Sequence, residues 1–166
     1  LFRSLFMPMA MVQPAFSRYQ WSALNHLQIG RYAEYFVKME FTLNGFDVYT
    51  AEVDDKGIDF VVRRSDTEHF DIQVKSSRNL SYVFFPKAIF RLRPNLLAAI
   101  VLYRDGEPAR PYLVPSTAWE SPNALFVSRD FGGALKSKPE WGLNLSAKNL
   151  ATLEQYEFDK MAAQLR

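Results

Sequence analysis

The segment "HFDIQVKSS", residues 69–77, reads as an extended strand, because Phe70, Ile72 and Val74 fall on one side of it while Asp71, Gln73 and Lys75 fall on the other. Just upstream, "IDFVVRR" is set off by "SDTE", the pattern of a hairpin with a four-residue loop. One face of the pair is apolar. The other carries polar groups where a core strand would prefer Val or Ile, and if the hairpin aligns Asp59 beside Gln73 and Lys75, a carboxylate, an amide carbonyl and an ammonium meet at one sheet edge. Such a cluster suits a divalent ion. An amphipathic antiparallel sheet with Asp and Lys facing water would show the same alternation.

The flanking sequence supplies the rest of a domain. Between Gln28 and Asn44, Ile29, Tyr32, Ala33, Phe36, Val37, Met39 and Leu43 recur at helical spacing, and Gly45 follows as a stop. "FDVYTA" at 46–51 predicts a short strand and "DDKG" at 54–57 a turn. After Arg78, Pro86 and Pro94 bracket a short helix or an irregular segment; "LLAAIVLY" is a buried strand, "PYLVP" another, and residues 116–140 read as loops with at most one short helix or strand. "SAKNLATLEQYEFDKMAAQL" closes the chain as a helix capped by Ser146, with Leu150, Leu153, Tyr156 and Met161 as its apolar stripe. This order predicts an α/β or α+β domain around a mixed sheet.

Length and composition bound the function. With 166 residues, 48% of them hydrophobic, the chain can bury one core, so residues 28–166 are expected as a single domain behind a partly disordered lead-in, 1–27. Pro8 and Pro14 interrupt that lead-in, which argues against a signal peptide. The longest apolar run, "NLLAAIVLY", is well short of the ~20 residues of a membrane span, and a soluble, cytoplasmic chain with no membrane partner is the expectation. Absence of cysteine removes disulfides and thiolate metal sites, leaving oxygen ligands with His26 and His69, so a bound ion would be a hard one. His69 shares the face of Gln73 and is a candidate substrate contact or a strand-entry residue; His26 reads as a capping or surface residue.

Charge is unevenly placed. Between Lys75 and Arg110 seven basic residues stand against two acidic ones, +5 locally within a chain of +2 overall. Tyr82, Phe84, Phe85 and Phe90 interleave with those bases, a mixture that fits phosphate contact with stacking aromatics, or equally a solvated face beside core aromatics.

Three stretches, "GRYAE", "NGFDVYTAEVDDKGIDFVV" and "FDIQVKSS", together resemble the PD-(D/E)XK nucleases, which have the restriction-endonuclease-like fold. The likeness covers residues 28–78 well and "LLAAIVLY" and "PYLVP" loosely. It departs from the family pattern in having Ile58 where a Pro often precedes the Asp, and Gln73 where Asp or Glu is usual; some homing endonucleases and resolvase-like members use the same Gln-x-Lys form.

The resemblance implies a core of helix, three strands, helix, strand with C-terminal additions, and a metal-dependent DNA endonuclease acting on phosphodiester bonds. It implies a catalytic set of Glu34, Asp59, Gln73 and Lys75, with Asp59, Gln73, Glu34 and the Val74 carbonyl holding Mg²⁺, or Mn²⁺ in its place. Lys75 would orient the attacking water or stabilise charge on the phosphate, and Glu34 would hold a water of the ion's shell or orient Lys75. Asp54 and Asp55 are spare carboxylates that read equally as turn residues. Ser76, Ser77, Arg78, Lys87, Arg91 and Arg93 are the expected DNA contacts, with DNA as partner and a homodimer as one way to cut both strands. A catalytically inactive nucleic-acid-binding module of the same fold, and an accessory interaction protein, are the alternatives.

Overall fold

The computed structural model of the chain describes residues 18–50, 56–132 and 137–165. Asp54 and Asp55 lie outside the described residues. Helix α1 (His26–Leu43) begins with a reciprocal capping box: the Asn25 side chain accepts from the Leu27 and Gln28 amides, and the Gln28 side chain accepts from the Asn25 amide. It ends in a Schellman arrangement, with the Gly45 amide on the Thr42 carbonyl and the Phe46 amide on the Phe41 carbonyl, which needs the positive φ of 81° at Gly45. Ile29, Ala33, Val37 and Phe41 form its buried stripe.

That stripe covers one face of a five-stranded sheet ordered β1-β2-β3-β5-β6, made of β1 (Asp47–Tyr49), β2 (Phe60–Arg63), β3 (His69–Arg78), β5 (Leu96–Tyr103) and β6 (Arg110–Pro115). All neighbours pair antiparallel except β3 and β5, which run parallel with Gln73 beside Ala98 and Lys75 beside Ile100. Every residue of β5 is buried, as a strand covered on both faces requires. Alternate residues serve two cores: Phe60, Val62, Ile72, Leu97, Ala99, Val101 and Leu113 pack under α1, while Leu96, Ala98, Ile100, Leu102 and Val114 face the opposite layer.

The opposite layer is a second sheet ordered β4-β8-β7, formed by β4 (Tyr82–Pro86), β7 (Phe126–Arg129) and β8 (Glu140–Asn144). The crossover between parallel β3 and β5 therefore runs through a strand, a single turn at Lys87–Ile89 and an irregular stretch, where the sequence predicts a short helix or an irregular segment. The 116–140 stretch holds both a 3-10 helix (Ser116–Glu120) and a strand, β7, with β8 starting at Glu140. Trp119 locks this layer: fully buried against Phe85, Phe90 and Phe126, it donates its indole N–H to the Gly142 carbonyl at 2.7 Å.

One further expectation needs correction. The C-terminal helix is broken: Ser146 makes no side-chain cap, a 3-10 turn (Ala147–Asn149) leads into α2 (Leu150–Leu153) and a second 3-10 turn, and α3 (Phe158–Gln164) starts only after Glu157, whose backbone is extended. Leu150, Leu153 and Tyr156 pack in the second core while Phe158, Met161 and Ala162 pack in the first, so no straight helix could serve both. The chain steps over the sheet edge at Glu157, which bridges to Tyr112 of β6. At the other end, Trp21 is buried against Tyr103 and donates to the Glu107 carbonyl at 2.9 Å.

Candidate active site

Pairing of β2 with β3 stops at Phe60 opposite Ile72, and Asp59 is the residue just before it. There the ladder is continued by a side chain. The Asp59 amide donates to the Ile72 carbonyl at 2.9 Å, and the Asp59 carboxylate accepts the Val74 amide at 2.5 Å. Because the N–H and C=O of one residue leave an extended strand on the same edge, the Val74 carbonyl also points toward the Asp59 side. Asp59 is thus pinned to β3 by two bonds just where the sheet opens.

Gln73 is buried, and among the described residues its Oε1 has no hydrogen-bond partner. Leaving such an acceptor unmet costs about 1–3 kcal/mol, so a buried carbonyl of this kind needs a reason. Its amide end rests against Gly57, whose φ is +68° and whose missing Cβ is the space occupied by the Ile89 side chain. Gly57 is required here on both counts: the left-handed backbone turns the chain into Asp59, and a side chain would displace Ile89.

Lys75, on the same face as Gln73, is half-buried with its Nζ 5.8 Å from the Phe85 ring centroid, and no carboxylate among the described residues lies within ion-pair reach. Asp71, the next residue on that face, is taken by Arg93 at 2.6 Å. The fold thus bonds Asp59 to Val74 midway along β3, between Gln73 and Lys75. Glu34 is placed differently. It sits on α1, which covers the other face, and its carboxylate is held by Arg31 at 2.5 Å.

The expected DNA contacts divide. Ser77 is buried, its hydroxyl committed to the Asn79 carbonyl and the Ser81 hydroxyl, which is strand-end bonding. Lys87 lies 4.0 Å over the Trp141 ring and donates to Ser128 and Asp130. Arg78 is exposed but donates to the Leu24 carbonyl, and Ser76 is half-buried. Arg91 and Arg93 line a cleft next to Gly57, and sequence reasoning missed Lys56 and Ile89, which line it with them. The signal available was Gly57 itself, a glycine between a cation and Ile58. His69 is exposed at the start of β3 and His26 at the start of α1.

Whether these residues fit a metal can be judged from the donors. No group of three or more His, Asp or Glu stands ready for an ion among the described residues. An unmet buried amide oxygen beside a pinned carboxylate, with a carbonyl on the same edge, is nonetheless an all-oxygen set that suits one hard cation with retained waters, and not two.

Among known proteins, no family model matches the chain and no curated protein matches it in sequence. A solved structure does match in fold: Hjc of Archaeoglobus fulgidus, a Holliday junction resolvase from an archaeal hyperthermophile, aligns over 81% of this chain and 96% of its own at a TM-score of 0.50 and 11% identity. At that identity the likeness speaks to architecture alone: with its mixed sheet and the helix over one face, the chain has a restriction-endonuclease-like fold.

Proposed function

We propose that the chain is a metal-dependent DNA endonuclease that hydrolyses phosphodiester bonds. The observation that carries this reading is the Gln73 Oε1, buried and without a hydrogen-bond partner among the described residues, on the strand to which the Asp59 carboxylate is bonded through the Val74 amide. Asp59, Gln73 and the Val74 carbonyl would hold Mg²⁺ or Mn²⁺, which when bound would polarise the scissile phosphate and make a nucleophile available near neutral pH. The chain does the positioning. Val74 N–H fixes the Asp59 carboxylate, Gly57 fixes the turn that presents it, and the Gln73 amide is held against that turn. Lys75, with no carboxylate partner among the described residues, would place its ammonium on the phosphate oxygens as negative charge accumulates there, and would orient the attacking water. Glu34 would join the set only by letting Arg31 go.

A second reading, a DNA-binding module of the same fold without catalysis, is favoured by one fact: Gln73 supplies no charge where a second carboxylate would strengthen ion binding. One experiment separates the two. Supercoiled plasmid and a four-way branched DNA are incubated with the protein in Mg²⁺, Mn²⁺ or EDTA, with Lys75→Ala and Asp59→Ala alongside. Metal-dependent cutting lost in both variants is the expected result. Cutting that survives Asp59→Ala would remove the assignment, and salt-sensitive binding with no cutting under any ion would transfer it to the binding module.

A further inference from the structure

Beside the Gln73 site, across Gly57, lies a cleft of about 350 Å³ lined by Lys56, Ile58, Ala88, Ile89, Arg91 and Arg93. Three of its six lining residues are cationic, none is acidic, and the other three offer small or branched apolar surface. That size falls within the range of small-ligand sites, at its lower end. The two arginines are set in place by the fold. Arg93 is clamped by Asp71 and by the Arg91 carbonyl, its backbone amide is held by the Ser116 hydroxyl, and Arg91 donates to the Ala88 carbonyl. Ile89, 48% exposed, forms the wall shared with the Gln73 site through its contact over Gly57. A solvated basic face would spread its charges. Here they converge on a concave, half-apolar surface.

We propose that this cleft seats one nucleotide of the bound DNA strand next to the phosphate that faces Lys75, with the phosphate on Lys56, Arg91 and Arg93 and the deoxyribose on Ile58, Ala88 and Ile89. The proposal deepens the nuclease reading and rests on it. Its role is to fix the register of the strand, so that the neighbouring phosphodiester arrives at Asp59 and Lys75 in one position and not along a continuum.

The test measures binding, not cutting. Fluorescence anisotropy of a labelled duplex is followed in EDTA across a salt series for the wild type, for Lys56→Ala/Arg91→Ala, and for Lys148→Ala/Lys160→Ala, a control that removes the same charge from exposed positions elsewhere. Each phosphate contact contributes about 0.9 to the slope of log K against log salt, so the cleft pair, which serves one phosphate, should lower that slope by up to about 0.9 and the control pair should leave it unchanged. Equal slopes for the wild type and the cleft pair, or an equal loss in both doubles, would overturn the proposal while leaving DNA binding, and the nuclease reading, in place. Absence of DNA binding by the wild type would overturn both. A free deoxynucleoside monophosphate that displaced the duplex at micromolar concentration would assign the cleft to free nucleotides and overturn it as well.

Discussion

Gln73 is the residue on which the chemistry turns, because it trades a charge for an amide at a buried position. Its Oε1 stands unmet next to a carboxylate already bonded to Val74, so restoring a carboxylate there should have opposite effects with and without an ion. In EDTA, Gln73→Glu sets two negative groups together in a buried place and should lose about 1–3 kcal/mol. With Mg²⁺ present the added charge should tighten ion binding, so the gap in Tm between EDTA and Mg²⁺ should widen relative to the wild type. Thermal denaturation under both conditions checks this; an unchanged gap would mean that position 73 holds no ion. Gly57→Ala belongs to the same scale. Its φ of +68° and the Ile89 side chain filling the Cβ space predict a loss of about 1–3 kcal/mol by urea denaturation, accompanied by loss of cleavage, since the displaced turn carries Asp59.

At the scale of elements, the second sheet is where sequence and structure part most instructively. β2 and β3 were legible because they alternate, with one apolar face and one polar, and β5 because it is an unbroken apolar run. β4 alternates too, with Val83 and Phe85 buried and Phe84 exposed, but it lasts only five residues between a loose polar stretch and Pro86, too short to outweigh its setting. β7 and β8 lie amid Pro and Gly, and their stability comes from Trp119 and from Tyr82 lying over Gly142, contacts distant in sequence. The broken C-terminal helix was hidden for a related reason: its apolar residues fit one stripe, and only the two-core arrangement shows that they serve different layers. The site was half legible: Asp59, Gln73 and Lys75 follow from alternation, whereas the ion pair that holds Glu34 and the cleft beyond Gly57 depend on tertiary approach.

The β4–β8 pair also carries a pH dependence. Tyr82 donates to Glu140 at 2.8 Å, and burial, then the Glu140 hydrogen bond and charge, push its phenol up to about 12, with Arg129 opposing. The folded value lies above the ordinary ~10, so this contribution to stability is complete below pH ~10 and is lost as pH climbs from there toward 12. The urea midpoint should therefore fall between about pH 10 and 12 in the wild type, and by less in Tyr82→Phe. Equal falls in both would show that the phenol does not carry the effect.

For the molecule as a whole, the layering dictates where stability concentrates. β5 lies between two cores and two strands, all eight of its residues buried and its backbone bonded on both edges to β3 and β6. Its amides can exchange only when both layers separate, which is global unfolding. α3 differs. Seven residues long, it follows the extended Glu157 and rests on the sheet through Phe158 and Ala162, with Asn44 reaching across to Asp159. So short a helix has little intrinsic stability and depends on those contacts. Native-state hydrogen exchange should therefore show two classes: β5 and the adjoining amides of β3 exchanging at the global free energy with a full denaturant dependence, and α3 opening earlier with a shallow one. The strand bearing Gln73 and Lys75 belongs to the first class, which is what a site needing fixed donors requires, since ligands held within tenths of an ångström cannot sit on an element that opens locally. Exchange of β3 amides at the rate of α3 would contradict both the layering and the assignment of a positioned site to that strand.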